Sequence, residues 1–509
     1  LACDIERLAR ELARAGVAHL VAPLLGPWRA WCRLAGLHLV DLDVRTRSEV
    51  VVSIAHEALA SVDRSFAAGD LGAVLAAPLP SVARAEQIQL LDALAAWREA
   101  AIAMPDLRGS FVLSGCSGPL DSVAGLWLLR RHAPLDRRIR IAPLFEDADA
   151  LTRCGAILAA AFDLPDYLRS LKAHGGVQEV TFGYSDTIKE SGYLSGHLRL
   201  RSAHSAIATA CDTAGVTPFI FHGRGGTVAR GGGPTADAVL AQPPGTIRGR
   251  LRWTEQGESI ALRFDDPVVG ASHLAETLLA LARTSSATGE GAELPDWIDA
   301  VAAENSRVYI SWYRDPELAV FHRAFTPIDA IERLAIGSRP ARRGERSSPV
   351  TLRAIPWHFS WSQTRIVASV WFGVGTALGH VVDNRSELNE ARALYRSSTW
   401  FRSIVDNLEM VLFKTDWEVG ELYAQLALDA GASRWLPRLR AEYLACTDAL
   451  LRIRGGNELL DHQPELRRRI LGRAPALRRL HELQVALLAR WRRDGDETSL
   501  RLVHGTING

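Results

Sequence analysis

The stretch TPFIFHGRGGTVARGGGPTADAVLAQ (217–242) decides the reading of the fold. It opens with a short apolar run, TPFIFHG (217–223), which predicts a buried strand. A glycine-rich loop follows, and then PTADAVLAQ, whose proline suits the first turn of a helix. Working outward, the same grammar recurs. IRIAPLF (139–145), EVTFGYS (179–185), SFVLSG (110–115) and HLVDLDV (38–44) are further apolar runs, and four of the five recur every 30 to 40 residues. Helical patterns lie between them, for example DSVAGLWLLRRHA (121–133) and LSGHLRLRSAHSAIATACDTAG (194–215). Strand alternating with helix predicts a parallel sheet with crossover helices.

Each run ends on a polar or charged residue: Arg45, Ser114, Glu146, Asp186 and Arg224 in chain order. In a (β/α) barrel the strand C-termini converge on one face, where chemistry is built. The expectation is an α/β, predominantly helical protein. A TIM-type barrel core, partial in this chain, occupies about 30–270, and a large mainly helical portion occupies about 270–509. ESIALRFD (258–265) reads as a further strand. Amphipathic helices are expected over 386–400, 403–428, 435–455 and 464–493. SRPARRGERSSP (338–349) reads as an exposed loop, and nothing marks a cut into independent domains.

Composition excludes several classes. With 48% hydrophobic and 23% charged residues the chain is too apolar for disorder. A net charge of +1 gives no pull toward nucleic acid or an anionic membrane. The longest apolar run, Ile366 to Leu378, is too short to span a bilayer. Six scattered cysteines without CxxC spacing indicate neither a zinc site nor a disulfide framework, and fit a reducing cytoplasm. Basic residues are nearly all arginine; the lysines are Lys172, Lys189 and Lys414.

In the glycine loop Arg224 and Arg230 are framed by Gly223, Gly225, Gly226, Gly231, Gly232 and Gly233. Glycines let backbone N–H groups approach an anion, and arginine grips phosphate or carboxylate with paired hydrogen bonds. Glu146 and Asp186, on neighbouring strand ends, can share one Mg²⁺ or Mn²⁺, or can instead cap helices and pair with arginines. Lys189, three residues after Asp186, either neutralises developing charge or is solvated at a helix start. Arg353 in TLRAIPWHFSW is equally readable as a ligand arginine or a buried salt bridge. His222 is open between a general base and a core histidine. The cluster Arg467, Arg468, Arg469 and Arg473 reads as a solvated face.

FHGRGGTVARGGGPTADAVLAQPPGTIRGRLRWTEQGESI (221–260) resembles the glycine-rich signature of the phosphoenolpyruvate carboxylase family. APLFEDADAL (142–151), FGYSDTIKESG (182–192), GSRPARR (337–343), LRAIPWHFSWSQTR (352–365) and LEMVLFKTD (408–416) match further blocks in the same order. The resemblance runs from about residue 30 to Gly509. It implies a metal, Mg²⁺ or Mn²⁺, on Glu146 and Asp186. It implies substrate phosphate on Arg45, Arg224 and Arg353, and carboxylation assisted by Arg230 and Lys189. It also implies a feedback site for aspartate or malate using Arg230, Lys414 and Arg473. The implied reaction joins phosphoenolpyruvate and bicarbonate into oxaloacetate and phosphate, in a cytoplasmic homotetramer.

The family's block reading roughly TAHPTE, whose histidine serves as catalytic base, has no counterpart in these 509 residues. The chain also stops at TING (506–509), where the family continues to a tail asparagine. The alternative reading is therefore a truncated or repurposed anion-binding fragment that is catalytically silent.

Overall fold

A computed structural model describes residues 2–35, 42–61, 71–104, 107–132, 135, 138–255, 257–287, 294–334 and 350–508. Among the described residues six strands form one sheet: β1 (Val44–Arg47), β2 (Gly109–Ser114), β3 (Ile139–Phe145), β4 (Val177–Gly183), β5 (Thr217–Gly223) and β6 (Arg252–Trp253). Their order in the sheet is β1-β2-β3-β4-β5-β6, the order of the sequence. The pairs with described register, β1–β2, β2–β3 and β5–β6, are parallel. β2 is buried along its whole length and β3 nearly so, as expected of strands covered on both faces by crossover helices. Between β2 and β3 lies the helix Pro119–His132; between β4 and β5 lie the helices Tyr184–Ser191 and Tyr193–Thr213.

The sequence places β3 and β5 to the residue, and β2 and β4 within two residues. The expected strand HLVDLDV falls mostly on 36–41, outside the described residues, and β1 itself begins at Val44. SRPARRGERSSP and GSRPARR lie outside them as well. The expected strand at 258–265 is corrected: Gly257–Phe264 is a helix, and the strand pairing with β5 is Arg252–Trp253. The i, i+2 alternation of Ile260, Leu262 and Phe264 is too short to be decisive. Leu262 is 80% exposed, so the alternation does not mark a buried face. Glu, Ala, Leu and Arg then favour a helix locally. The helical expectation over 403–428 breaks at Thr415–Asp416, where Asp416 accepts from Val419 N and caps a new helix, Trp417–Ala424.

The chain divides into two compact units. The first comprises Leu1–Phe145, Ala156–Thr181 and Ala210–Thr217. Within it the fully buried Glu179 is held by Arg140 Nε and Ser110 Oγ, each at 2.7 Å, so the carboxylate is both paired and hydrogen-bonded. The second comprises Glu146–Gly155, Phe182–Thr209 and Pro218–Gly509. Its core is aromatic: Trp312, Trp357, Trp361, Trp371 and Trp435 are all under 2% exposed. Trp357 Nε1 donates to Tyr309 Oη at 3.1 Å, and His322 Nε2 lies 2.8 Å from Ser360 Oγ. Among the described residues no helix is long and apolar enough to cross a membrane.

Candidate active site

The second unit carries Glu146 at the end of β3 and Asp186 in the first turn of the helix after β4. A helix start favours an acidic residue. Thr187 Oγ1 donates to Gly183 O at 2.6 Å and to Glu146 O at 3.1 Å, tying the two strand ends together. Gly183 is needed here: a Cβ on it would lie 2.8 Å from Glu146 Cβ and 3.3 Å from Oε2. The Glu146 carboxylate therefore rests over the end of β4, beside the turn that bears Asp186. Two hard oxygen donors on joined strand ends suit a divalent cation that keeps several waters.

Lys189 follows Asp186 by three residues, so both lie on one side of the short helix. It is only 5% exposed. Its Nζ sits 5.1 Å from the centroid of the Tyr313 ring and donates to Val350 O at 3.5 Å. The solvated alternative for Lys189 is thereby set aside.

The glycine loop is closed by its own backbone. Gly225 N donates to Arg230 O at 2.8 Å, and Gly232 N to Thr227 O at 2.7 Å, around the single turn Val228–Arg230. Gly231 has φ +77°, and a Cβ there would meet Tyr184 Cδ1 at 2.6 Å. Tyr184 opens the helix that carries Asp186 and Lys189, so the loop packs directly on that helix. Arg224 is 6% exposed. Its guanidinium lies 4.4 Å from the Trp253 ring centroid and 5.6 Å from that of Tyr184. Nε donates to Gly231 O, while Nη1 has no hydrogen-bond partner among the described residues. Burial lowers the Arg224 pKa to about 10. Arg224, Arg201, His197, His204, Gln242 and Asn407 help line a cavity of about 40 Å³.

His222 is fully buried, with Nδ1 2.9 Å from Tyr184 Oη, and burial first, then the neighbouring His204 and Arg224, hold it neutral. That favours the core-histidine alternative over a general base. Arg353 directly precedes the helix Ala354–Gln363, without a capping hydrogen bond from its side chain, and is half-buried. Arg45 lies exposed on β1, in the first unit.

Lys414 ends the helix Thr399–Lys414. Burial lowers its pKa, and the charges of Arg365 and Arg473 lower it further. Arg365 and Arg473 are therefore near enough for their charges to act on Lys414. Arg365, which the sequence did not single out, closes the block WSQTR and has an unusual φ of +61°. His358 was missed too: its Nε2 lies 3.2 Å from Ser185 O, next to Asp186. The available signal was an imidazole inside an otherwise apolar aromatic run.

Another group among the described residues has metal-ligating character: Asp406, Glu409 and His462, with ligand atoms within 4.8 Å of one another. Arg454 already sits in it, 3.0 Å from Glu409 and 2.6 Å from Asp461. A cation is thus built into this cluster, which makes it an ion-pair network rather than the better metal candidate.

A family model described as phosphoenolpyruvate carboxylase matches residues 1–509. The chain belongs to the phosphoenolpyruvate carboxylase family. It is 38% identical over 433 residues to a phosphoenolpyruvate carboxylase of Chromobacterium violaceum, covering 82% of this chain and 48% of that one. It is 36% identical over 543 residues to one of Mycobacterium avium, covering 99% and 58%. A third, of Nitrosomonas eutropha, is 32% identical over 556 residues, covering 99% and 58%. The chain therefore spans about half the length of these phosphoenolpyruvate carboxylases.

Proposed function

We propose that this chain is the metal- and phosphate-holding portion of a phosphoenolpyruvate carboxylase, which forms oxaloacetate and phosphate from phosphoenolpyruvate and bicarbonate. The observation that carries the reading is Arg224: a buried guanidinium with no carboxylate in ion-pairing distance among the described residues, seated on the helix that bears Asp186. Glu255 acts on Arg224 only from beyond contact and is itself paired with Arg263, so the buried guanidinium is left short of a bonded counter-ion and calls for an anion. The sheet, whose strand order never reverses, belongs in this reading to a (β/α) barrel; a doubly wound sheet would change direction at a switch point.

Glu146 and Asp186 hold Mg²⁺ or Mn²⁺ in this reading, and the bound ion supplies charge stabilisation for the substrate's oxygens. Arg224 and Arg353 grip the phosphoryl group of phosphoenolpyruvate. A bicarbonate oxygen attacks phosphorus and the P–O bond to the enol oxygen breaks, its electron pair staying on that oxygen, leaving carboxyphosphate and the enolate of pyruvate. Carboxyphosphate splits into CO₂ and phosphate, and the enolate carbon takes up the CO₂. Lys189 and Arg230 balance the negative charge of these species. Lys189 and Arg224 are almost wholly buried, which strengthens their fields. Lys414, Arg365 and Arg473 form the anion site that takes aspartate or malate, together with Arg230. The whole enzyme is a cytoplasmic homotetramer in this reading.

The test is oxaloacetate formation with phosphoenolpyruvate, bicarbonate and Mg²⁺, alongside calorimetric titration with phosphoglycolate. Asp186→Asn is expected to abolish metal-dependent phosphoglycolate binding while the circular dichroism spectrum is kept. Unchanged binding would refute the metal assignment. Binding without turnover would leave the silent anion-binding reading in its place.

A further inference from the structure

His358 is 1% exposed, on the helix Ala354–Gln363, which packs against the helix Tyr184–Ser191. Its Nε2 lies 3.2 Å from Ser185 O. A carbonyl oxygen only accepts, so Nε2 carries the hydrogen and Nδ1 is the bare, accepting nitrogen. Nδ1 is buried and has no hydrogen-bond partner among the described residues. Folded proteins rarely leave such an acceptor unsatisfied, so it asks for an explanation.

The surroundings supply one. Ser185 is followed by Asp186 and, one turn on, by Lys189. The Lys189 ammonium lies over the Tyr313 ring, and Tyr313 stands 5.2 Å, centroid to centroid, from Trp357, the neighbour of His358. Burial, and then the charges of Lys189 and Arg230, bring the His358 pKa down to about 3, so the imidazole stays neutral at any working pH. A carboxylate in this place would cancel the charge of Lys189. A neutral acceptor can aim the ammonium without cancelling its charge.

We propose that His358 is a positioning residue for Lys189: when an anionic ligand fills the site, the Lys189 ammonium donates to Nδ1 of His358. The helix carrying Asp186 is held by one nitrogen of the ring, and the ammonium is aimed by the other. The role of Lys189 in carboxylation rests on the function proposed above; the hydrogen bond itself does not.

Two measurements decide it. In the intact chain with ¹⁵N-labelled histidine, the Nδ1 resonance of His358, assigned by its loss in His358→Asn, is expected to move to a hydrogen-bonded position on adding phosphoglycolate and Mg²⁺. In Lys189→Met the move should be absent. No move in the parent chain, or the same move in Lys189→Met, overturns the proposal. In turnover, His358→Gln keeps a donor for Ser185 but loses the Nδ1 acceptor, whereas His358→Asn keeps a neutral acceptor near Nδ1. Gln is expected to lower kcat about 10- to 100-fold with KM for phosphoenolpyruvate little changed, as for loss of a hydrogen bond to a charged group. Asn should recover most of kcat, and His358→Asp should not, because it cancels the ammonium charge. A Gln variant that matches the parent beside a damaged Asn variant would make His358 a structural peg for Ser185 only. A resonance shift in a chain that makes no oxaloacetate would sink the catalytic reading and leave the positioning contact standing.

Discussion

Arg224 is buried and Arg454 is half-buried with a side chain only 8% exposed, and their surroundings treat the charge in opposite ways. Arg454 meets Glu409 at 3.0 Å and Asp461 at 2.6 Å. Burial alone would lower its pKa; the hydrogen bond to Asp461 and the charge of Glu409 outweigh burial and raise it. Arg224 has aromatic faces and one backbone carbonyl instead, and burial prevails. The charge of Arg454 is consumed inside the fold. The charge of Arg224 is sheltered but unspent, and that separates a structural arginine from one kept for a ligand.

The sharpest way to break this contrast is to remove each guanidinium. Arg454→Met strands Glu409, fully buried, and is expected to cost about 3–5 kcal/mol in urea unfolding. A loss under about 1 kcal/mol would show that the pair does not hold the fold. Arg224→Met leaves no carboxylate behind, so stability should change by less than about 1 kcal/mol or rise. Affinity for phosphoglycolate should instead fall about a hundredfold in calorimetry, the scale of lost charge-assisted hydrogen bonds. Retained affinity would remove Arg224 from the phosphate site.

The sequence made one of these arginines legible and hid the other. Arg224 stands in a glycine-rich loop after an apolar run, a local pattern. Arg454, Glu409 and Asp461 meet only because separate helices and a turn bring them together, and no spacing announces it. The cage around Arg224 was equally hidden, since Tyr184 and Trp253 lie 40 and 29 residues away along the chain. His358 and Ser185 are separated by 173 positions. Strands β3 and β5 were readable because a buried parallel strand is an unbroken apolar run. The helix at 257–264 was misread because its alternation is short and its exposed face carries Leu262.

Acid should resolve the two regions by pH. Burial holds His197 and His358 down to about 3 and His204 and His481 down to about 4, and His222 is also well below its usual value. Unfolded, these imidazoles take up protons as pH falls through about 6.5. The unfolded state then binds more protons than the folded one, so stability falls as pH drops from about 6.5 toward 4. Urea midpoints at pH 7.5, 6 and 5 measure it, and a flat series would contradict the buried neutral histidines. The Arg224→Met variant should show a slightly shallower fall, because Arg224 helps to lower His197 and His222. Smallest of all is the acid signature at the other arginine. The hydrogen bond from Arg454 holds Asp461 down at about 2, so its stabilisation is complete above about pH 3.9 and disappears only as pH falls toward 2. Asp461→Asn should therefore flatten the stability curve below pH 4 and leave its shape between pH 5 and 7 unchanged.

The contact of Gly231 with Tyr184 has a thermodynamic consequence. One end of it belongs to the loop of Arg224 and Arg230, the other to the helix of Asp186 and Lys189. A ligand that settles the loop settles the helix, and a ligand that settles the helix settles the loop. Reciprocity then fixes the size of the effect: whatever factor an anion at the loop adds to the affinity of a cation at the helix, the cation returns to the anion unchanged.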